Sequence, residues 1–162
     1  MAFLKRTALD PGVREMVGKG RVLASGRSDA GQVVGLVDRM VYADGGGTRE
    51  LRWQDVDRGH WDDELKVLRW TDVQGNDVTL TLIEAGRIPD LFNERVDASI
   101  ACVRTVELGP QGKAVITARR DLGDPTAPLI WRVASQGGDA ATADNPLVAL
   151  TLERLRDEYD LG

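Results

Sequence analysis

Residues 77–83 read Asp77-Val78-Thr79-Leu80-Thr81-Leu82-Ile83, and up to Leu82 polar and apolar side chains alternate. Successive side chains of a strand point to opposite faces, so Val78, Leu80 and Leu82 are expected to share a buried face. Thr79 and Thr81 then look to water, where threonine is a good strand former. Gln74-Gly75-Asn76, just upstream, reads as a hairpin turn because Gly and Asn accept positive φ at low cost.

The same reading extends backwards from that turn. Leu65 to Trp70 is a further strand whose alternation changes phase between Val67 and Leu68. Either a bulge or burial on both faces explains such a change. Asp62-Asp63-Glu64 is a polar turn, preceded by the strands Thr48 to Trp53 and Val56 to Trp61. Asp44-Gly45-Gly46-Gly47 is a loop, since glycine loses much conformational entropy in a regular element. Arg39 to Ala43, Gln32 to Leu36 and Arg21 to Ser25 complete the run. About seven short strands at a spacing of roughly 8–12 residues predict an antiparallel barrel or sandwich. The period then changes: Ile88, Leu91, Phe92, Arg95 and Val96 recur at helical spacing, with Pro89 in the first turn, so residues 87–97 are predicted as one amphipathic helix.

Seven strands followed by one helix resembles the pleckstrin-homology-like (PH-like) domains, including their bacterial and GRAM-type relatives. Val33 to Tyr42 resembles the second and third strands of that group, and Leu51-Arg52-Trp53-Gln54-Asp55-Val56 the entry to the fifth. The resemblance covers residues 21–97. It implies an α+β, mainly β fold: a seven-stranded antiparallel barrel closed by one helix. The whole chain also resembles a group of small uncharacterised actinobacterial proteins, which supplies no activity. Inositol-lipid-binding members of the PH-like group place basic residues around the first hairpin. Here that loop is Ser28-Asp29-Ala30-Gly31, with Arg27 beside it and no basic cluster after it, so inositol-lipid binding is not implied.

Outside the barrel, residues 1–9 are read as a loose arm. Residues 10–17 are read as a short helix capped by Asp10, begun by Pro11 and ended by Gly18. Residues 1–20 thus form an N-terminal arm and helix. Residues 98–162 are read as a βββα extension, either a continuation of the first sheet or a small subdomain. Its predicted strands are Ala98 to Leu108, Ala114 to Arg119 and Leu129 to Ala134, the first favoured over helix by its β-branched residues. A Gly/Ala/Asp linker over 135–143 leads to a helix capped at Asp144-Asn145-Pro146, with Val148, Leu152, Leu155 and Tyr159 in one stripe and an Arg154–Glu158 pair.

At 162 residues the chain is long enough to bury roughly 70% of its unfolded surface without covalent staples. Cys102 is the only cysteine, so no intrachain disulfide forms, as expected of a reducing cytoplasm. No apolar run is long enough for a transmembrane helix, and Met1 to Arg6 lacks the apolar core of a signal peptide. The net charge is −5 and the basic residues are interspersed with acids, so the basic stripe of a nucleic-acid binder is not found.

Little in the chain points to chemistry. His60 is the sole histidine, and near Asp57, Asp62 and Asp63 it is a candidate general base, but no nucleophile motif accompanies it. The acids Asp55, Asp57, Asp62, Asp63 and Glu64 lack the spacing of a calcium loop and read as a solvated strand face and its turn. Cys102 lies in an apolar stretch that suits an inert thiol. Gly45-Gly46-Gly47 has no Walker lysine and reads as a hairpin loop. No cofactor, metal or catalytic residue is assigned.

Trp53, Trp61, Trp70 and Trp131 are suited either to the core or to a contact surface. Trp53, Trp61 and Trp70, with Arg52 and Arg69, are the candidate interaction surface. The expected role is a non-enzymatic protein-binding or scaffold module in the cytoplasm, with a protein partner. Two alternatives stand beside it. One is weak peripheral membrane contact through Phe3, Leu4, Lys5 and Arg6, with Arg14 and Lys19 nearby. The other is a hydrolase using His60.

Overall fold

A computed structural model of the chain describes residues 8–136 and 144–160. Helix α1 (Pro11–Val17) precedes seven strands: β1 (Ala24–Ser28), β2 (Gly31–Gly35), β3 (Arg39–Asp44), β4 (Gly47–Arg52), β5 (Val56–Asp62), β6 (Val67–Asp72) and β7 (Asp77–Glu84). Helix α2 (Ile88–Ser99) follows, then β8 (Ile100–Glu107), β9 (Lys113–Arg119), β10 (Ile130–Gln136) and helix α3 (Pro146–Asp160). The chain divides into two units, Met1–Asp97 and Ala98–Gly162.

The first unit is one antiparallel sheet in the order β4-β3-β2-β1-β7-β6-β5. Tyr42 on β3 and Trp70 on β6 are separated by three strands in that order, a span of roughly 19 Å in a flat sheet. Their rings nevertheless meet edge-to-face at 5.3 Å. The sheet is therefore curled into a half-barrel, and β4 and β5 are its ends. The curl turns Val33, Met40, Tyr42, Leu68, Trp70, Leu80 and Leu82 inward, all of them buried.

Helix α2 packs against the inner side. Phe92 meets Trp53 at 5.9 Å and Trp70 at 6.0 Å between ring centroids. Three glycines on three different strands make room for it. A Cβ at Gly26 would press on Ile88, one at Gly35 would overlap Leu91, and one at Gly59 would overlap the Phe92 ring. Helix α1 covers the opposite face: its Val13 and Val17 cluster with Val34, Leu36 and Val41, with Leu9 at the margin. Val33 and Val34 are thus buried on opposite sides of β2, which accounts for an apolar run without alternation.

Several details differ from the sequence reading. Asp10 makes no side-chain cap on α1; its backbone N–H instead donates to Gln32 Oε1 at 2.9 Å. The first strand begins at Ala24 and not Arg21, although Leu23 N–H already donates to Gly35 O. The strand expected from Leu65 begins at Val67, because Leu65 and Lys66 belong to the turn. There Asp62 Oδ1 accepts the amides of Glu64 and Leu65, and Lys66 has a φ of 56°. The change of phase at Val67–Leu68 is not a bulge: the β6–β7 register runs unbroken, and both side chains are buried.

The second unit is a separate three-stranded antiparallel sheet, β10-β9-β8, with α3 against one face. Alternate residues Cys102 and Val106 on β8 and Ala114, Ile116 and Ala118 on β9 share that face with Val148 and Leu155 of α3. Trp131 packs at its edge and meets Tyr159 edge-to-face at 5.9 Å. Asn145 Oδ1 accepts the Leu147 amide at 3.0 Å and so caps α3. Arg154 and Glu158 form no ion pair among the described residues. Of the linker expected over 135–143, Ser135 and Gln136 instead continue β10 and residues 137–143 lie outside the described residues, as do residues 1–7 of the arm expected over 1–9.

Candidate interaction surface

The aromatic residues proposed from sequence separate into core and surface. Trp53, in a single 3-10 turn after β4, is 1% exposed, and its Nε1–H donates to Leu36 O at 3.0 Å. Trp70 is 3% exposed and holds the Tyr42 and Phe92 rings. Neither presents a contact face to solvent. Trp61 is half-buried. Arg52 and Arg69 are exposed.

The cause is strand parity. On β6, Leu68 and Trp70 point inward, opposite Leu80 and Val78 of β7, and Arg69 and Thr71 point outward, opposite Thr79 and Asp77. On β5, His60 pairs with Arg69 and Arg58 with Thr71, so both stand on the outer face; Gly59 and Trp61 stand on the inner one. A register break between Val56 and Arg58 precedes this stretch.

Two hollows flank β5 and its turn. A cleft of about 450 Å³ is bordered by Trp61, Asp63, Lys66, Leu82, Pro89 and Asp90. The Trp61 side chain and Lys66 both hydrogen-bond Asp63; the Lys66 Nζ contact, at 2.9 Å, is the larger influence, and together they hold the carboxyl below its ordinary range. Ile83, 67% exposed, also lines this cleft, and Leu65, 61% exposed, is adjacent in sequence to its Lys66. The second hollow, about 280 Å³, lies on the outer face of β5, β6 and β7, where Arg58, His60, Arg69 and Thr79 converge. Within it Thr71 Oγ1–H donates to Asp77 Oδ1 at 2.5 Å, and Arg58 Nε–H donates to Thr71 Oγ1 at 3.4 Å.

Other candidate chemistry is sparse. His60 makes no hydrogen bond to a hydroxyl, thiol or carboxylate among the described residues. Among the described residues no three His, Cys, Asp or Glu side chains are grouped to hold a metal. Cys102 is buried, and the hydrogen bond between it and the Tyr159 hydroxyl raises the pKa of that hydroxyl above its ordinary value. Asp44, at the β3–β4 turn, is held below the usual carboxylate range by the Arg49 guanidinium, 2.5 Å away.

The outer-face hollow was not singled out from sequence, although its signal was present: Arg58 and His60 are spaced by two on one strand. Register with β6 was needed to bring Arg69 beside them. No model of a known protein family, no curated protein and no solved structure matches this chain significantly.

Proposed function

We propose that this chain is a non-enzymatic protein-binding module of the cytoplasm, a PH-like half-barrel that α2 closes and whose β5 edge receives an extended segment of a partner protein. The observation that carries this reading is the place of β5 at the end of the sheet, with Asp57, Arg58 and His60 exposed along it. An end strand leaves a row of backbone N–H and C=O groups to solvent, and an added strand satisfies them. Alternate side chains of the added strand then need receptacles on both faces. The Trp61 cleft and the hollow at Arg58 and Arg69 are available for that purpose.

The membrane reading rests mainly on Phe3, Leu4, Lys5 and Arg6, which lie outside the described residues. The hydrolase reading needs a nucleophile hydrogen-bonded to His60, and nothing favours one.

The test is recovery of partners by the tagged protein from its own cells at physiological salt, repeated with Trp61→Ala/Arg69→Glu. A reproducible protein partner lost in this variant, with the variant's circular dichroism and melting unchanged, supports the reading. An empty eluate, or a partner retained by the variant, overturns it.

A further inference from the structure

Building on β5 as a docking edge, we infer that the segment it receives is acidic, with carboxylates at alternate positions facing Arg58, His60 and Arg69. The argument is the pairing of arginines across the sheet. On the β3–β4 side they have carboxylate partners: Arg39 with Asp38 and Glu50, Arg49 with Asp44, and Arg52 with Glu50. On the outer face of β5 and β6 they do not. Arg58 donates only to the neutral hydroxyl of Thr71, and Arg69 and His60 have no polar partner among the described residues. Asp77, the acid in this hollow, is engaged by Thr71. Asp57 and Asp62 lie towards the two ends of β5, and Asp62 Oδ1 is occupied by the Glu64 and Leu65 amides. The outer face of β5 and β6 therefore carries two guanidinium groups with no ion-pair partner among the described residues, beside a single carboxylate in the hollow, on a protein whose net charge is −5.

Geometry converts that charge into selectivity. A strand added to β5 places every second side chain on the outer face, about 5 Å in Cβ separation from Arg58 or His60. A Glu or Asp there lies within reach of both guanidinium groups, whose planar forks suit a carboxylate. Screening over about 8 Å at physiological ionic strength leaves this local charge, not the net charge of the chain, to act on a docked segment.

The test uses three capped heptapeptides added to the 15N-labelled full chain: one alternating Glu with Val and Thr, one with Gln in place of Glu, and one with Lys. Amide shifts of residues 57–62 and 67–72 are followed at physiological salt. The Glu peptide is expected to bind about fivefold more tightly than the Gln peptide, as two exposed charge pairs at Arg58 and Arg69 allow. Arg58→Glu/Arg69→Glu is expected to reverse the order in favour of the Lys peptide. If Glu, Gln and Lys peptides shift β5 equally, the acidic preference is overturned and the docking edge stands. If none shifts β5 or β6, both fall. If the free protein sediments as a dimer that the peptides do not displace, β5 is occupied by a second copy and the inference is overturned.

Discussion

The Phe92 ring lies directly on the backbone of Gly59, between Trp53 and Trp70, so that a Cβ on Gly59 would overlap the ring. Phe92 is 2% exposed and its ring packs against both indoles. Gly59→Ala is therefore expected to destabilise the protein by about 1–3 kcal/mol, the usual cost of overpacking. Gly45 has nothing within 4 Å of its hypothetical Cβ. Gly45→Ala is expected to be neutral, or stabilising by up to about 1 kcal/mol through the unfolded chain. Urea denaturation of both variants checks the contrast.

Trp53 joins the end of β4 to the loop after β2 through its bond to Leu36 O. Trp53→Phe keeps an aromatic ring against Phe92 but strands that carbonyl in a buried site. A loss of about 1–3 kcal/mol is expected from the unmade hydrogen bond alone, with a further cost for the lost volume. A urea midpoint equal to that of the parent protein would show that the bond contributes nothing.

Gln32 is 1% exposed, and its amide holds the segment before α1 at both ends: Nε2–H donates to Ala8 O at 3.3 Å, and Oε1 accepts from Asp10 N–H. In Gln32→Leu these backbone groups lose their partners. Hydrogen exchange is expected to accelerate across residues 10–17 by about tenfold or more, the equivalent of 1.4 kcal/mol of local stability, with smaller changes in β6 and β7. Uniform acceleration throughout the first unit would mean that α1 opens only with the whole sheet.

Burial pushes the Tyr42 hydroxyl above its ordinary value of 10.0; Asp44 adds to the shift and Arg49 opposes it. The unfolded chain then ionises before the folded one. Stability is whole below about pH 10 and is lost as the pH rises through the folded value. Tyr42→Phe removes that loss, so its urea midpoint is expected to fall less between pH 8 and the region above pH 10. Parallel curves for the two proteins would assign the alkaline loss to other groups.

Asn145 caps α3 by accepting the Leu147 amide. Asn145→Ala is expected to cost about 1 kcal/mol, and Asn145→Asp to cost less than that. Exchange rates in residues 147–150 report the change in the cap directly.

Local order in this chain was set by patterns that act over a few residues. The period-two run at Val78, Leu80 and Leu82, the glycines of the β3–β4 turn, the helical spacing of Ile88, Leu91 and Phe92 and the Asn145 cap each express the backbone geometry of their own element. Element type and order were therefore legible. What residues share across the sheet was not. Tyr42 reaches Trp70 only because the sheet curls, and Val34 is buried only because α1 folds back over it. The same register that put Trp70 inside left Arg58, His60 and Arg69 outside on one face without an ion-pair partner among the described residues. Curvature and pairing depend on contacts between residues distant in sequence, so tertiary structure alone decided which tryptophans became core and which arginines remained to be met by another chain.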